Sequence, residues 1–218
     1  MKALIGIIVL LIIGVAAFTI YDSQTAVPVP DGSTGTTTAL EIPVIIAGTP
    51  SVMYRDPQYA FSIYYPSTAL LTSDNIGGFL PLTQSPVIGF SLNSDMFQGT
   101  NLGEAGVYIG ATTSPGIVSS CVSPSSSAGE TTATSSISIG GSQFSEFDST
   151  GVGAGNIYEE KAFRTVENGA CLEIVELLHS SQIANYPAGS VVAYDHAKFS
   201  GILDAMVGTF AFTKPATK

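Results

Sequence analysis

The chain has no tryptophan, only two cysteines and two histidines, and seven Lys and Arg residues in a length of 218. Each shortage excludes a class of function. His179 and His196 supply neither an H-x-x-x-H nor an H-E-x-x-H spacing, and there is no EF-hand loop, so no metal ligands are assigned. Seven basic residues against 17 acidic ones leave a net charge of −10. A surface of that sign repels nucleic acid, which proteins hold mainly by neutralising phosphate with Lys and Arg. Cys121 and Cys171 match no zinc or redox spacing, and no G-x-S-x-G elbow occurs despite abundant serine. What remains is 45% hydrophobic and only 11% charged, enough apolar material for one domain of ordinary size.

The longest predominantly apolar run is ALIGIIVLLIIGVAAFTI, residues 3–20, with no charge in it and preceded by Met1 and Lys2. At about 1.5 Å of rise per residue, a helix of that length approaches the bilayer core thickness of roughly 30 Å. It reads as a transmembrane signal anchor with its amino terminus in the cytoplasm under the positive-inside rule. Cleavage as a signal peptide is the alternative, with Val15-Ala16-Ala17 as the small-residue site. The run lacks the glutamate of a type IV pilin, and no nearby cysteine offers a lipid attachment point. Residues 21–50, which include VPVPDGSTGTTT, read as a flexible tether, and residues 51–218 as an extracytoplasmic domain. In an oxidising compartment the even cysteine pair suggests a Cys121–Cys171 disulfide; two separate buried thiols are the other reading.

Within the domain, Val52 to Arg55, the Asp56-Pro57 turn signal and Tyr59 to Tyr65 read as a first hairpin ending at Pro66. Further strands are expected near residues 87–92 and 106–111. Residues 112–138 are dominated by Ser, Thr, Gly and Pro and read as a long surface loop around Cys121. Asn168-Gly169 is a type I′ turn signal between IYEEKAFRTV and CLEIVELLH. A two-residue loop there sets Arg164 opposite Glu173, Lys161 opposite Glu176 and Phe163 opposite Ile174. Asp195 is placed to cap a helix whose stripe is Phe199, Ile202, Leu203, Met206 and Val207, ended by Gly208. Residues 209–213 alternate as a final strand. A helix on a mostly antiparallel sheet is an α+β arrangement.

Tyr54-Arg55-Asp56, the segment Tyr59-Ala60-Phe61-Ser62-Ile63-Tyr64-Tyr65-Pro66, and Ile202-Leu203 followed by Thr209-Phe210-Ala211-Phe212 resemble the Mog1/PsbP-like group. The resemblance implies an α+β fold in which an opening strand and a closing helix and strand bracket an antiparallel sheet with packed helices. Ser67-Thr68-Ala69-Leu70 stands where that group commonly has a tryptophan. The group includes a lumenal photosystem subunit, a nuclear transport factor and bacterial envelope proteins, so it implies no single function. It transfers no catalytic residue.

The residues themselves supply no catalytic constellation either. Gly140-Gly141 and the Gly151-Val-Gly-Ala-Gly155 run lack the lysine or helix of a phosphate loop and read as turns. Glu159-Glu160 would point to opposite faces of a strand, which works against a paired-carboxylate site. The chain is therefore expected to be a non-enzymatic binding or assembly domain, with no cofactor, held to the membrane by its first helix and contacting an envelope protein. The alternative is a secreted hydrolase with an unconventional Ser/His or carboxylate site, which a cleft gathering His179, Asp195 and a serine would favour.

Overall fold

The Asn168-Gly169 signal is realised in a computed structural model that describes residues 45–126, 129, 130, 133 and 135–213. Both residues take positive φ, 50° and 77°, and close a hairpin between Asn156–Glu167 and Ala170–Ser181. Arg164, Lys161 and Phe163 face Glu173, Glu176 and Ile174, the register the turn dictates. The same device recurs twice upstream. Gly140-Gly141 (57° and 86°) and Ala154-Gly155 (49° and 80°) join Ser135–Ile139 to Ser142–Gly153 and the latter to Asn156–Glu167. Three two-residue turns thus fold residues 135–181 into one four-stranded meander; Gly140-Gly141 is a turn as expected, whereas Gly151 to Gly153 pair within a strand and only Ala154-Gly155 turns.

In chain order the strands are β1 (Ile45–Ile46), β2 (Thr49–Asp56), β3 (Phe61–Pro66), β4 (Leu70–Thr72), β5 (Pro86–Ser91), β6 (Leu102–Thr112), β7 (Ser135–Ile139), β8 (Ser142–Gly153), β9 (Asn156–Glu167), β10 (Ala170–Ser181) and β11 (Ala211–Phe212). Among the described residues the α-helices are α1 (Pro115–Ser120) and α2 (His196–Val207). A seven-stranded antiparallel sheet has the order β4-β5-β6-β10-β9-β8-β7, and a smaller one the order β1-β2-β3-β11. The described residues belong to one compact unit, Ile42–Lys218.

The large sheet is buried on both faces, which is why β10 reads as a nearly continuous apolar run. On one face Val107, Ile109, Phe144, Phe163, Leu172 and Ile174 pack with Phe61 and Ile63 of the small sheet and with the α2 stripe Phe199, Ile202, Leu203, Met206 and Val207. On the other, Tyr108, Phe147, Ala162, Val175 and Leu177 are covered by Ile76 and Leu80. Phe144 and Phe147 of β8 therefore serve opposite faces. A strand buried that way shows no simple alternation, and β8 has no signature in the sequence beyond its flanking glycines.

Several boundaries differ from the sequence-based expectations. The small sheet begins at β1 and β2, so residues 45–50 pair as strands instead of continuing the tether. Residues 112–138 are not a uniform loop: they contain α1 and the start of β7, and Cys121 and Glu130 are buried. Among the described residues the packed α-helices are α2 and the short α1, and the last strand shortens to Ala211–Phe212, paired with β3. The α2 cap is as expected, the Asp195 carboxylate accepting from the Lys198 amide at 3.0 Å. Gly208 ends that helix with φ −59°, so no left-handed residue is needed. Residues 3–20 lie outside the described residues, and among the described ones no helix is long and apolar enough to cross a membrane.

Candidate functional site: an acidic groove beneath helix α2

Register places Asp148, Lys161 and Glu176 directly opposite one another across β8, β9 and β10. Successive residues of α2 at i, i+4 and i+8, His196, Ser200 and Asp204, run above that row. Sheet and helix enclose a groove of about 280 Å³, also lined by Thr150, Glu159, Leu178 and Leu203. The Lys161 ammonium spans it, 2.6 Å from Asp204 Oδ1 and 3.4 Å from Glu176 Oε2. At the open end, the Tyr194 hydroxyl donates to Glu159 at 2.5 Å, and His196 Nε2 stands 3.7 Å from the same carboxylate.

Glu176 is the buried member of this set, 4% exposed, and its Oε1 has no hydrogen-bond partner. Burial lifts its pKa from the ordinary 4.5 to about 8, against the opposing pull of Lys161. Burial opposes the charge on Lys161, yet Asp204 and Glu176 more than offset it and its pKa lies above the ordinary value. The Tyr194 hydroxyl is raised by burial and by its hydrogen bond to Glu159. A neutral Glu176 explains how one lysine suffices beneath so many carboxylates.

A stability consequence follows with a definite sign. Because the folded pKa of Glu176 exceeds the unfolded one, its contribution is complete below about 4.5 and is lost as pH rises through about 8. Glu176→Gln, which cannot ionise, is expected to flatten the decline in urea midpoint between about pH 5 and about pH 9, and to be the more stable protein at the alkaline end. Parallel curves for the two proteins would refute the assignment.

The other positions singled out from the sequence are not brought together. His179 lies on the opposite face of the sheet from the groove, stacked on Tyr158 at 4.3 Å, with Nε2 3.1 Å from Asn156 Oδ1. Ser181 Oγ donates to that same Asn156 oxygen at 3.3 Å, so the amide occupies the position a Ser–His pair would need. Asp195 is committed to its cap. The hydrolase triad of His179, Asp195 and a serine is not assembled. Glu159 and Glu160 diverge as neighbours on a strand do, Glu159 to Tyr194 and Glu160 to Ser149 at 3.3 Å. Burial raises Glu160 despite the Ser149 hydrogen bond. Among the described residues no cluster of His, Cys, Asp or Glu has the geometry to hold a metal ion.

Opposite the groove, the sequence concealed a buried charge hub. Arg164, fully buried, donates from Nε to Glu173 at 2.9 Å and from both terminal nitrogens to Glu130 at 2.8 and 2.6 Å. Its guanidinium lies over the Phe147 ring at 4.7 Å. Glu173 also accepts from the Leu82 and Thr83 amides, the latter at 2.8 Å, and from the Thr83 hydroxyl at 3.0 Å. A Cβ on Gly110 would fall 2.3 Å from Thr83 Oγ1, so glycine there is what lets residues 80–83 press against β6. Beside the hub, Cys121 and Cys171 form a disulfide with Cα atoms 5.6 Å apart. The Arg164–Glu173 pair was legible from the hairpin register; Glu130, 34 residues upstream in a serine-rich stretch, left no local signal.

No family model matches the chain. No curated protein matches it. Among solved structures, a protein from Bacteroides thetaiotaomicron VPI-5482 is 15% identical over 76% of this chain, with a TM-score of 0.44. The aligned part is 50% of that protein, so this chain spans half its length. Cyanobacterial PsbP (CyanoP) from Synechocystis sp. PCC 6803 is 13% identical, with a TM-score of 0.44, over 83% of this chain and 99% of that one.

Proposed function

We propose that the chain is an extracytoplasmic binding or assembly domain, held to the membrane through residues 3–20, which captures a protein of the cell envelope in the groove beneath α2. The observation that carries this reading is the groove itself. It gathers Asp148, Glu159, Glu176 and Asp204 around Lys161 on rigid elements, and the Ser200 hydroxyl in its lining donates to the His196 and Ala197 backbone carbonyls. Such a surface is suited to recognising charge and shape. The Cys121–Cys171 bridge supports an oxidising compartment outside the cytoplasm. Residues 112–138, the long Ser/Thr-rich stretch, are less suited to the role, because Cys121 and Glu130 commit part of that stretch to the body of the domain.

Crosslinking in intact cells, followed by capture of the full chain, tests the reading. Asp204→Lys reverses a half-exposed charge at the groove wall and is expected to remove specific neighbours that wild type and Asp74→Lys, a reversal at an exposed position outside the groove, retain. An unchanged set of crosslinked neighbours in a folded Asp204→Lys protein would exclude the groove as the contact.

A further inference from the structure

The groove has more acceptors than donors. Lys161 already shows what fits: its ammonium sits between Asp204 at 2.6 Å and Glu176 at 3.4 Å. That leaves Glu176 Oε1, buried on the groove floor, without a donor. A buried carboxyl oxygen left unpaired is costly and is normally satisfied. Charged groups face Glu176 from three elements: Asp148 and Glu146 from β8, Lys161 and Glu159 from β9, and His196 and Asp204 from α2. From β6 its register partner is the apolar Val107. Carboxylates outnumber cations in that shell, and the apolar walls of Leu178 and Leu203 suit the methylene stem of a long side chain.

Building on the groove as the recognition site, we infer that its occupant is a Lys or Arg side chain of the partner protein, which enters beside Lys161 and supplies the donor that Glu176 lacks. The terminal torsion of glutamate is broad and roughly two-fold, so a half turn of the carboxyl group exchanges its oxygens and lets either meet the incoming cation. At neutral pH the Glu176 carboxyl is largely protonated. A cation arriving next to it favours the ionised form, and the proton leaves to solvent. Binding and proton release are therefore linked, and the affinity rises with pH up to the pKa of the free site.

Calorimetry of the full chain in neutral detergent, titrated with tetralysine in buffers of different ionisation enthalpy, reads both quantities. At about pH 7 the expected result is saturable binding that releases about one proton, with tetraglutamate giving none. Glu176→Gln should bind about tenfold more weakly with no proton released, while its thermal unfolding shows it folded. Tetralysine binding of unchanged strength and without proton release in Glu176→Gln and wild type alike would overturn the inference, as would no binding at all. In either case the crosslinking result with Asp204→Lys still decides separately whether the groove is the contact surface.

Discussion

Arg164→Met is expected to destabilise the domain by about 3–5 kcal/mol, the loss of a cation that pairs two buried carboxylates. Arg164 has no exposed surface, and Glu130 and Glu173 converge on it from segments 34 and 9 residues away in sequence. Removing it leaves two carboxylates buried near each other with no cation. At roughly 2–4 °C per kcal/mol the melting temperature should fall by on the order of 10 °C. The triple variant Glu130→Gln/Arg164→Met/Glu173→Gln should recover most of that loss, because the penalty comes from stranded charge more than from the lost ion pairs. Urea unfolding measures both. A cost below about 1 kcal/mol for Arg164→Met would mean that the hub is hydrated and not a buried network.

Cys121→Ala/Cys171→Ala should cost about 4 kcal/mol, the chain-entropy value for a loop of 50 residues. Neither cysteine should react with an alkylating agent in the denatured protein before reduction, and both should react after it. The bridge and the Arg164 hub hold the same stretch of chain, Cys121 to β10 and Glu130 to β9. The two losses should therefore be non-additive: once the disulfide is gone, Glu130→Gln costs less than it does in the bridged protein. Strict additivity would show that residues 121–130 are held by each fastening independently.

These fastenings explain which parts of the fold were legible. The β9–β10 hairpin was readable because a type I′ turn sets its register, and register sets every cross-strand pair, including Lys161 with Glu176. Helix α2 was readable because its cap and its apolar stripe lie within one short stretch of sequence. The strand β8 was not, since Phe144 and Phe147 feed opposite faces of a sheet covered on both sides. Residues 112–138 were read as a loop because their composition is that of one. The charge of Glu130 acquires its meaning only from Arg164 on a distant strand.

For the site, the sequence by itself determined the residue types: an acidic chain with two histidines, no nucleophile motif, a cysteine pair and a charged hairpin of known register. Those are local or compositional properties, and turn chemistry and periodicity act over a few residues. Tertiary structure alone decided that Asp204 of α2 lies over Lys161, that Glu176 is sealed beneath that pair with a raised pKa, and that His179 and His196 stand on opposite faces of the sheet. The reason is physical. Burial, and the electrostatics that burial magnifies, depends on which elements pack together, and packing is set by the whole core and not by any one segment.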